Sequence, residues 1–174
     1  MQKYILLCLL VICSACHRKM PPQIPSNQET IDTERQNMLI YNQLCIEAEQ
    51  EDIKKFIDSS EYKMTYSDNG FWYYIIEKGN GKKVRNGQIV KIAYSLELLD
   101  GTVCYSTDKN RIKTFEVGKR KVEKGLDIAM PLFAENSEAV IIMPSHLAHG
   151  VVGDRKCIPA RTPILYRIKI LSVK

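Results

Sequence analysis

Residues 70–174 contain many short runs that favour β-structure and little sequence that favours a helix. In the longest run, Gln88–Leu99, apolar side chains occupy every second position: Val90, Ile92, Tyr94, Leu96 and Leu98. Because successive side chains of a strand point to opposite faces of a sheet, this pattern predicts a long strand with one buried face. Asp100-Gly101 follows directly, and this dipeptide is typical of a hairpin turn.

Further runs of β-branched and aromatic residues predict the rest of the sheet. They are Phe71–Glu77, Thr102–Thr107, Thr114–Gly118, Glu138–Pro144 and Thr162–Val173. Gly125–Phe133 is the one helix candidate in this half, and Pro131 should end it or fray it. Many strands, one short helix and no regular alternation of strands with helices predict an α+β domain with an antiparallel sheet.

A helical segment is predicted before this domain, over residues 30–60. Its apolar residues recur mostly three or four apart: Met38, Tyr41, Cys45, Ala48, Ile53 and Phe56. Two interpretations remain open. The helix packs on its own domain, or it pairs with the same helix of a second copy and forms a homodimer. The stripe is too thin to indicate a coiled coil by itself.

Residues 1–15 have the pattern of a targeting segment. Lys3 precedes the apolar run Tyr4–Ile12, which is too short to span a membrane. Small residues then lead to Cys16, as in a bacterial lipobox, although Cys13 replaces the usual leucine. We expect acylation of Cys16 to anchor the protein in a bacterial cell envelope. The alternative is an ordinary signal peptide cut near Ala15. The proline-rich residues 16–29 predict a flexible tether.

Charge and cysteine spacing argue against two classes of ligand. The net charge of +5 is spread along the chain and forms no basic block, so we expect no nucleic-acid partner. The three cysteines of the body, Cys45, Cys104 and Cys157, form no cluster with zinc-ligand spacing. His146 and His149 lie three apart but have no third ligand nearby in the sequence. We therefore predict no metal site.

Three patches of residues 70–174 occur in a characteristic order. Val90–Tyr94 and Asp100–Thr102 form the first, Phe115–Gly118 and Val122–Asp127 the second, and Val140–Pro144, Leu147–Gly150, Ile158-Pro159 and Ile164–Ile168 the third. This order resembles the FKBP-type peptidyl-prolyl cis-trans isomerase family, and it is similar to that of its gliding-motility-associated lipoproteins. The resemblance implies a curved antiparallel sheet wrapped around one short helix. It also implies isomerase activity (EC 5.2.1.8) on proline-containing polypeptides without a cofactor.

The resemblance also implies which residues form the site. It assigns catalytic roles to Tyr94, His149 and Tyr166. It assigns substrate binding to Cys104, Tyr105, Val122, Glu123, Leu126 and Ile158. Tyr94, Val122 and Ile158 match the family as wall residues. Tyr166 stands where the family has phenylalanine, and Glu123 replaces an isoleucine whose backbone N–H binds the substrate carbonyl.

Other site positions depart from the family. Cys104-Tyr105 replaces a Phe-Asp pair, Leu126 replaces the tryptophan of the pocket floor, His149 replaces a tyrosine and Lys113 replaces an aromatic residue. We expect Leu126 and Cys104 to leave a wider, apolar pocket. These departures predict an isomerase that is weak or altered in specificity. The alternative is a non-catalytic peptide-binding or assembly module of the cell envelope. A purely structural lipoprotein is a third possibility if the pocket is filled.

The resemblance places two cysteines near one cavity. Cys104 stands at a wall position, and Cys157 precedes Ile158 in the loop that covers the same pocket. In an oxidising compartment they can form a disulfide that pins the loop. The alternative is two separate buried thiols that fill space. With a bridge, Cys45 is the odd thiol of the body, either free or pairing a dimer.

Overall fold

The computed structural model describes residues 28–108 and 111–174. The predicted targeting segment, Cys16 and most of the predicted tether therefore lie outside the described residues. The chain divides into two units, Met1–Tyr41 and Asn42–Lys174. No helix in the described part of the chain is long and apolar enough to cross a membrane.

Two α-helices and seven strands make up the described regular structure, with three short 3₁₀ turns. The helices are α1, Gln28–Ser59, and α2, Lys124–Ala129. The strands are β1 Thr65–Tyr66, β2 Trp72–Glu77, β3 Ile89–Leu98, β4 Val103–Ser106, β5 Lys113–Glu116, β6 Glu138–Met143 and β7 Ile164–Val173. The 3₁₀ turns are Met130–Leu132, Ser145–Leu147 and Gly150–Val152.

The strands form one antiparallel sheet in the order β1-β2-β6-β7-β3-β4, with β5 also paired to β3. Leu96 of β3 lies opposite Tyr166 of β7, and Tyr94 lies opposite Ile168. The predicted α+β class with an antiparallel sheet and a preceding helix is confirmed. Strand β1 was not predicted, because two residues are too few to show a periodicity.

One face of the sheet carries the main apolar core and α2. The predicted buried row on β3 is confirmed at Val90, Ile92 and Leu96, each at most 1% exposed. Gly125 lets the start of α2 approach the sheet closely, because a Cβ there would lie 2.6 Å from the sulfur of Met143, which would have to move. The core residues packed around these are Phe71, Phe115, Leu126, Met130, Phe133, Ile141, Met143, Ile158, Ile164, Tyr166 and Ile170.

The opposite face of the sheet is covered by the second half of α1. Ile53 is 0% exposed and packs with Val140, Ile142 and Leu165, whose side chains alternate with those of the main core. Within one copy of the chain, the predicted helical stripe is therefore buried at Ile53 and exposed at several other positions. Met38 and Tyr41, of the first unit, and Ala48 are exposed.

The inward face of α1 includes a charged residue that the apolar pattern overlooked. Glu49 is 8% exposed. Its carboxylate accepts hydrogen bonds from the backbone N–H and the hydroxyl of Ser145, the latter at 2.8 Å. These bonds satisfy the start of the 3₁₀ turn that leads into residues 148–161. From Asn42 onward, α1 thus packs on its own domain.

Candidate functional site

Side chains from β5, from the segment that leads into α2 and from the loop after β6 meet beside the main core. They surround a cleft of about 440 Å³, which we call the charged cleft. Its lining residues are Lys113, Thr114, Phe115, Lys121, Val122, Glu123, Ala148 and His149. Tyr94 and Tyr166 lie next to it, with ring centroids 5.8 Å apart.

Lys113 occupies the space beside these two tyrosines. Its ammonium lies 4.9 Å from the ring centre of Tyr94 and 5.3 Å from that of Tyr166. A cation at this distance is attracted to the negative face of an aromatic ring. The side chain is only 23% exposed, so the charge is held mostly away from water. The family resemblance implies that a proline ring packs on the rings of Tyr94 and Tyr166. In this structure the Lys113 ammonium lies over both rings.

Glu123 balances this charge. Lys113 Nζ lies 3.2 Å from Glu123 Oε2 and donates a 2.9 Å hydrogen bond to the Tyr166 hydroxyl, which donates one of 2.9 Å to Glu123 Oε1. The Glu123 side chain is 12% exposed. Three polar groups from separate elements thus form one closed network, in which each group satisfies the others.

The network shifts the ionisation of its members in opposite directions. Burial acts to raise the pKa of Glu123. The Lys113 charge and the hydrogen bonds from the backbone N–H of Glu123, from Tyr166 and from Lys113 together outweigh burial, so the pKa of Glu123 is below its usual value. Burial, and then the Glu123 charge, raise the pKa of both Tyr94 and Tyr166. The carboxylate is therefore ionised and the phenols are neutral at neutral pH.

His149 completes the rim of the cleft. Its Nε2 lies 3.5 Å from Glu123 Oε1, and the atom is buried without a hydrogen-bond partner among the described residues. An imidazole nitrogen in this position is able to donate to, or accept from, a group that enters the cleft. The structure thus brings four predicted or noted positions together: Tyr94, Glu123, His149 and Tyr166.

The expected wide, apolar floor at Leu126 is not present. Leu126 and Tyr166 are both 0% exposed and pack within the main core. Ile158 is 2% exposed. These side chains support the site from beneath, and the accessible surface beside them is lined by charged groups.

The loop over residues 148–161 is fastened to β4 at two points. Cys104 and Cys157 form a disulfide with a Cα–Cα distance of 5.5 Å, so the bridge is the correct one of the two alternatives. The Tyr105 hydroxyl donates a hydrogen bond to Asp154 Oδ2. Cys45 is a free thiol.

Asp154 also organises the loop from within. Its Oδ1 accepts backbone N–H groups of Lys156, Cys157 and Ile158 at 2.9, 3.0 and 2.8 Å. Burial acts to raise the pKa of Asp154, but the Tyr105 and backbone hydrogen bonds lower it to about 2. Sequence reasoning missed Asp154, although an aspartate that accepts the backbone N–H two residues further on, here that of Lys156, is a common turn former.

Sequence reasoning also missed the partnership of Lys113 with Glu123. Lys113 was noted only as a departure from the family pattern, and Glu123 only as a source of a backbone N–H. The two residues are ten positions apart, on a strand and at a helix start. The family resemblance places both residues at the pocket, so their opposite charges could have predicted this ion pair.

Comparison with known proteins agrees with this architecture. Residues 80–171 match the FKBP-type peptidyl-prolyl cis-trans isomerase family. FK506-binding protein 4 of Emericella nidulans is 35% identical over 96 residues, which are 55% of this chain and 20% of that protein. FK506-binding protein 3 of Dictyostelium discoideum is 31% identical over 96 residues, 54% of this chain and 50% of that protein. The chain thus spans only a fifth to a half of the length of these relatives.

Two bacterial structures share the fold at lower identity. FkpA from Escherichia coli has a TM-score of 0.64 at 19% identity, covering 99% of this chain and 82% of that one. A peptidyl-prolyl cis-trans isomerase from Pseudomonas syringae has a TM-score of 0.65 at 19% identity, covering 76% of this chain and 95% of that one. With the match over residues 80–171, the chain belongs to the FKBP-type peptidyl-prolyl cis-trans isomerase family.

Proposed function

We propose that this chain is a peptidyl-prolyl cis-trans isomerase of altered specificity and slow turnover, acting on Xaa-Pro bonds of exported proteins. Family membership supports isomerase activity in general. The charged network of Lys113, Glu123 and Tyr166 is the observation that supports altered specificity. A site with buried charge cannot favour the same prolyl segments as an apolar pocket.

Prolyl isomerisation requires few chemical groups from the protein. It rotates an amide bond over a barrier of about 18–20 kcal/mol and breaks no bond. An enzyme accelerates it by binding the twisted amide better than the planar one. Apolar contacts that hold the proline ring and donors that hold the flanking carbonyls both contribute. No metal or nucleophile is needed for this step.

The cleft offers a subset of these contacts. Tyr94 supplies an aromatic surface beside it, Val122 is a half-buried aliphatic lining residue, and the buried Nε2 of His149 has no hydrogen-bond partner among the described residues. A proline ring that enters must displace the Lys113 ammonium or lie against it. Either event disturbs a satisfied network, which supports slow turnover.

The alternative function is a non-catalytic peptide-binding or assembly module. Two observations favour it. The aromatic surface is already in contact with Lys113, and the disulfide fastens residues 148–161 to β4. A fastened loop suits retention of a bound segment more than rapid exchange of substrates.

The cellular setting is part of the proposal. The residues before Cys16 support acylation of this cysteine and attachment to the bacterial envelope, on the periplasmic face or at the outer membrane. Labelling with a fatty acid tests this: we expect label in wild type and none in Cys16→Ser. Equal label in both would overturn the anchor. A homodimer through α1 is also proposed, supported by Leu44 and Ile46, which are 58% and 52% exposed.

The isomerase proposal is tested by cis/trans exchange in a series of Xaa-Pro peptides, followed by nuclear magnetic resonance. We expect measurable acceleration by the wild-type chain and a loss in Tyr94→Ala, provided circular dichroism shows that the variant is folded. Binding without acceleration would support the peptide-binding module. Full activity in a folded Tyr94→Ala variant would show that the site lies elsewhere.

A further inference from the structure

Charge is distributed unevenly around the cleft. Residues 119–124, which lead from β5 into the first residue of α2, carry four exposed cations, Lys119, Arg120, Lys121 and Lys124, of which Lys119 lies 3.8 Å from Glu116 Oε1. The nearby carboxylate of Asp127 is buried and accepts backbone N–H groups on the inner side of this segment, at 2.7 and 3.0 Å. Glu123 is likewise turned inward and committed to Lys113. The segment therefore presents cations to the solvent and keeps its carboxylates inside.

Within the cleft, positive groups exceed negative ones. The charges of Lys113 and Glu123 balance each other at 3.2 Å. Lys121 also lines the cleft and forms no ion pair with any carboxylate of the described residues. His149 lines the same cleft, and its buried Nε2 lies 3.5 Å from Glu123 Oε1 without a hydrogen-bond partner among the described residues. The cleft thus has one uncompensated cation and one unused imidazole nitrogen.

We propose that the cleft recognises a carboxylate on the residue next to the proline, so that it prefers segments in which an aspartate or glutamate flanks the proline directly. The inference rests on the proposed function, since it names the substrate class of the same site. A carboxylate that enters beside the tyrosines gains charge-assisted contacts with Lys121 and His149. An apolar side chain in the same place would remove water from Lys113 and Glu123 without making a polar contact with either, which costs free energy.

The cations outside the cleft strengthen this preference over a longer range. A basic rim raises the local concentration of acidic segments and speeds their association, by an amount that falls with salt. The exposed valines Val151 and Val152 lie in the adjoining loop, at 62% and 59% exposure. They provide apolar contact area for the remainder of a bound segment.

The test uses four peptides that differ only beside the proline: Glu-Pro, Gln-Pro, Pro-Glu and Pro-Gln. We expect the full chain to favour glutamate over glutamine on at least one side by about tenfold in kcat/KM or Kd, equivalent to about 1.4 kcal/mol, and less at high salt. Lys121→Glu should remove this preference. Lys54→Glu is the matched control, because it makes the same change in net charge on α1, which covers the opposite face of the sheet.

Each other outcome overturns the inference. If an active chain has the same kcat/KM or Kd for the glutamate and glutamine peptides, the acidic preference is refuted and the proposed function is unaffected. A chain that neither binds nor isomerises any of the four peptides would refute both. If Lys121→Glu keeps the peptide preference but loses binding to vesicles of anionic phospholipid, the cations serve a membrane surface. Circular dichroism and the unaffected control establish that both variants are folded.

Discussion

Tyr166 joins the main apolar core to the charged network beside the cleft, and different forces stabilise the two regions. The ring of Tyr166 is 0% exposed among aliphatic neighbours, while its hydroxyl bonds to Lys113 and Glu123. In the core, stability follows the volume and area removed from water. In the cleft, it follows whether each polar group keeps its partner. In the core, we therefore expect the loss of side-chain volume to set the cost of a substitution. In the cleft, we expect the loss of a hydrogen-bond or ion-pair partner to set it.

The core should show the largest effect of a single truncation. Phe133 is 1% exposed and packs against α2 and the sheet. We expect Phe133→Ala to lower the free energy of unfolding by about 3–5 kcal/mol, because it leaves a cavity. Denaturant unfolding measures this. The control, Val151→Ala, removes an exposed side chain and should change stability by less than about 0.5 kcal/mol.

The disulfide that fastens the covering loop should rank next. It joins residues 53 apart, so the chain-entropy argument gives a contribution of about 4 kcal/mol, of which about 2–4 is typically observed. We expect the double variant Cys104→Ser/Cys157→Ser to have a free energy of unfolding about 2–4 kcal/mol lower than wild type, measured by chemical denaturation. Cys45→Ser, which removes the free thiol, should behave as wild type. A double variant as stable as wild type would show that the loop is held by Asp154 alone.

The cleft should respond to single and paired substitutions in different ways. Lys113→Phe leaves the Glu123 carboxylate without its cation, and we expect a loss of about 1–3 kcal/mol, below the range for fully buried pairs because Lys113 is partly exposed. Lys113→Phe/Glu123→Ile removes both charges and should lie within about 1 kcal/mol of wild type. Additive effects in this double-mutant cycle would mean that the two residues do not interact.

The smallest effect concerns pH and the loop over residues 148–161. The folded-state pKa of Asp154 is lowered to about 2 from its ordinary value of 3.8. A lowered pKa means that its stabilisation is present above pH 3.8 and is lost as the pH falls towards 2. We expect the stability difference between wild type and Asp154→Asn to shrink over that interval. A difference that is constant from pH 6 to pH 2 would contradict this role for the Asp154 carboxylate.

The two regions also differ in how far the sequence predicts them. The alternation in β3 and the position of Pro131 were enough to predict the sheet and the short α2, because burial imposes a period on local sequence. The stripe on α1 misled at Met38 and Ala48, because its buried face is set by Ile53 and by Glu49, a polar residue. Burial of Glu49 depends on Ser145, 96 residues away. Periodicity contains no information about such a partner.

The charged cleft was the least predictable part for the same reason. Tyr166 and Glu123 are 43 residues apart and meet only because β7 and the start of α2 adjoin in the folded chain. The family resemblance supplied the positions but assigned them roles suited to an apolar pocket. The disulfide remained undecided until its Cα atoms were placed 5.5 Å apart.

The most direct test of the charged cleft is the isomerisation rate of a Leu-Pro peptide, compared between wild type and Lys113→Phe/Glu123→Ile. If the buried ion pair sets the slow turnover and the specificity, the folded double variant should raise kcat/KM on this peptide by about tenfold or more, a gain of at least 1.4 kcal/mol in transition-state binding. An equally stable double variant whose rate on Leu-Pro is unchanged or lower would contradict the account.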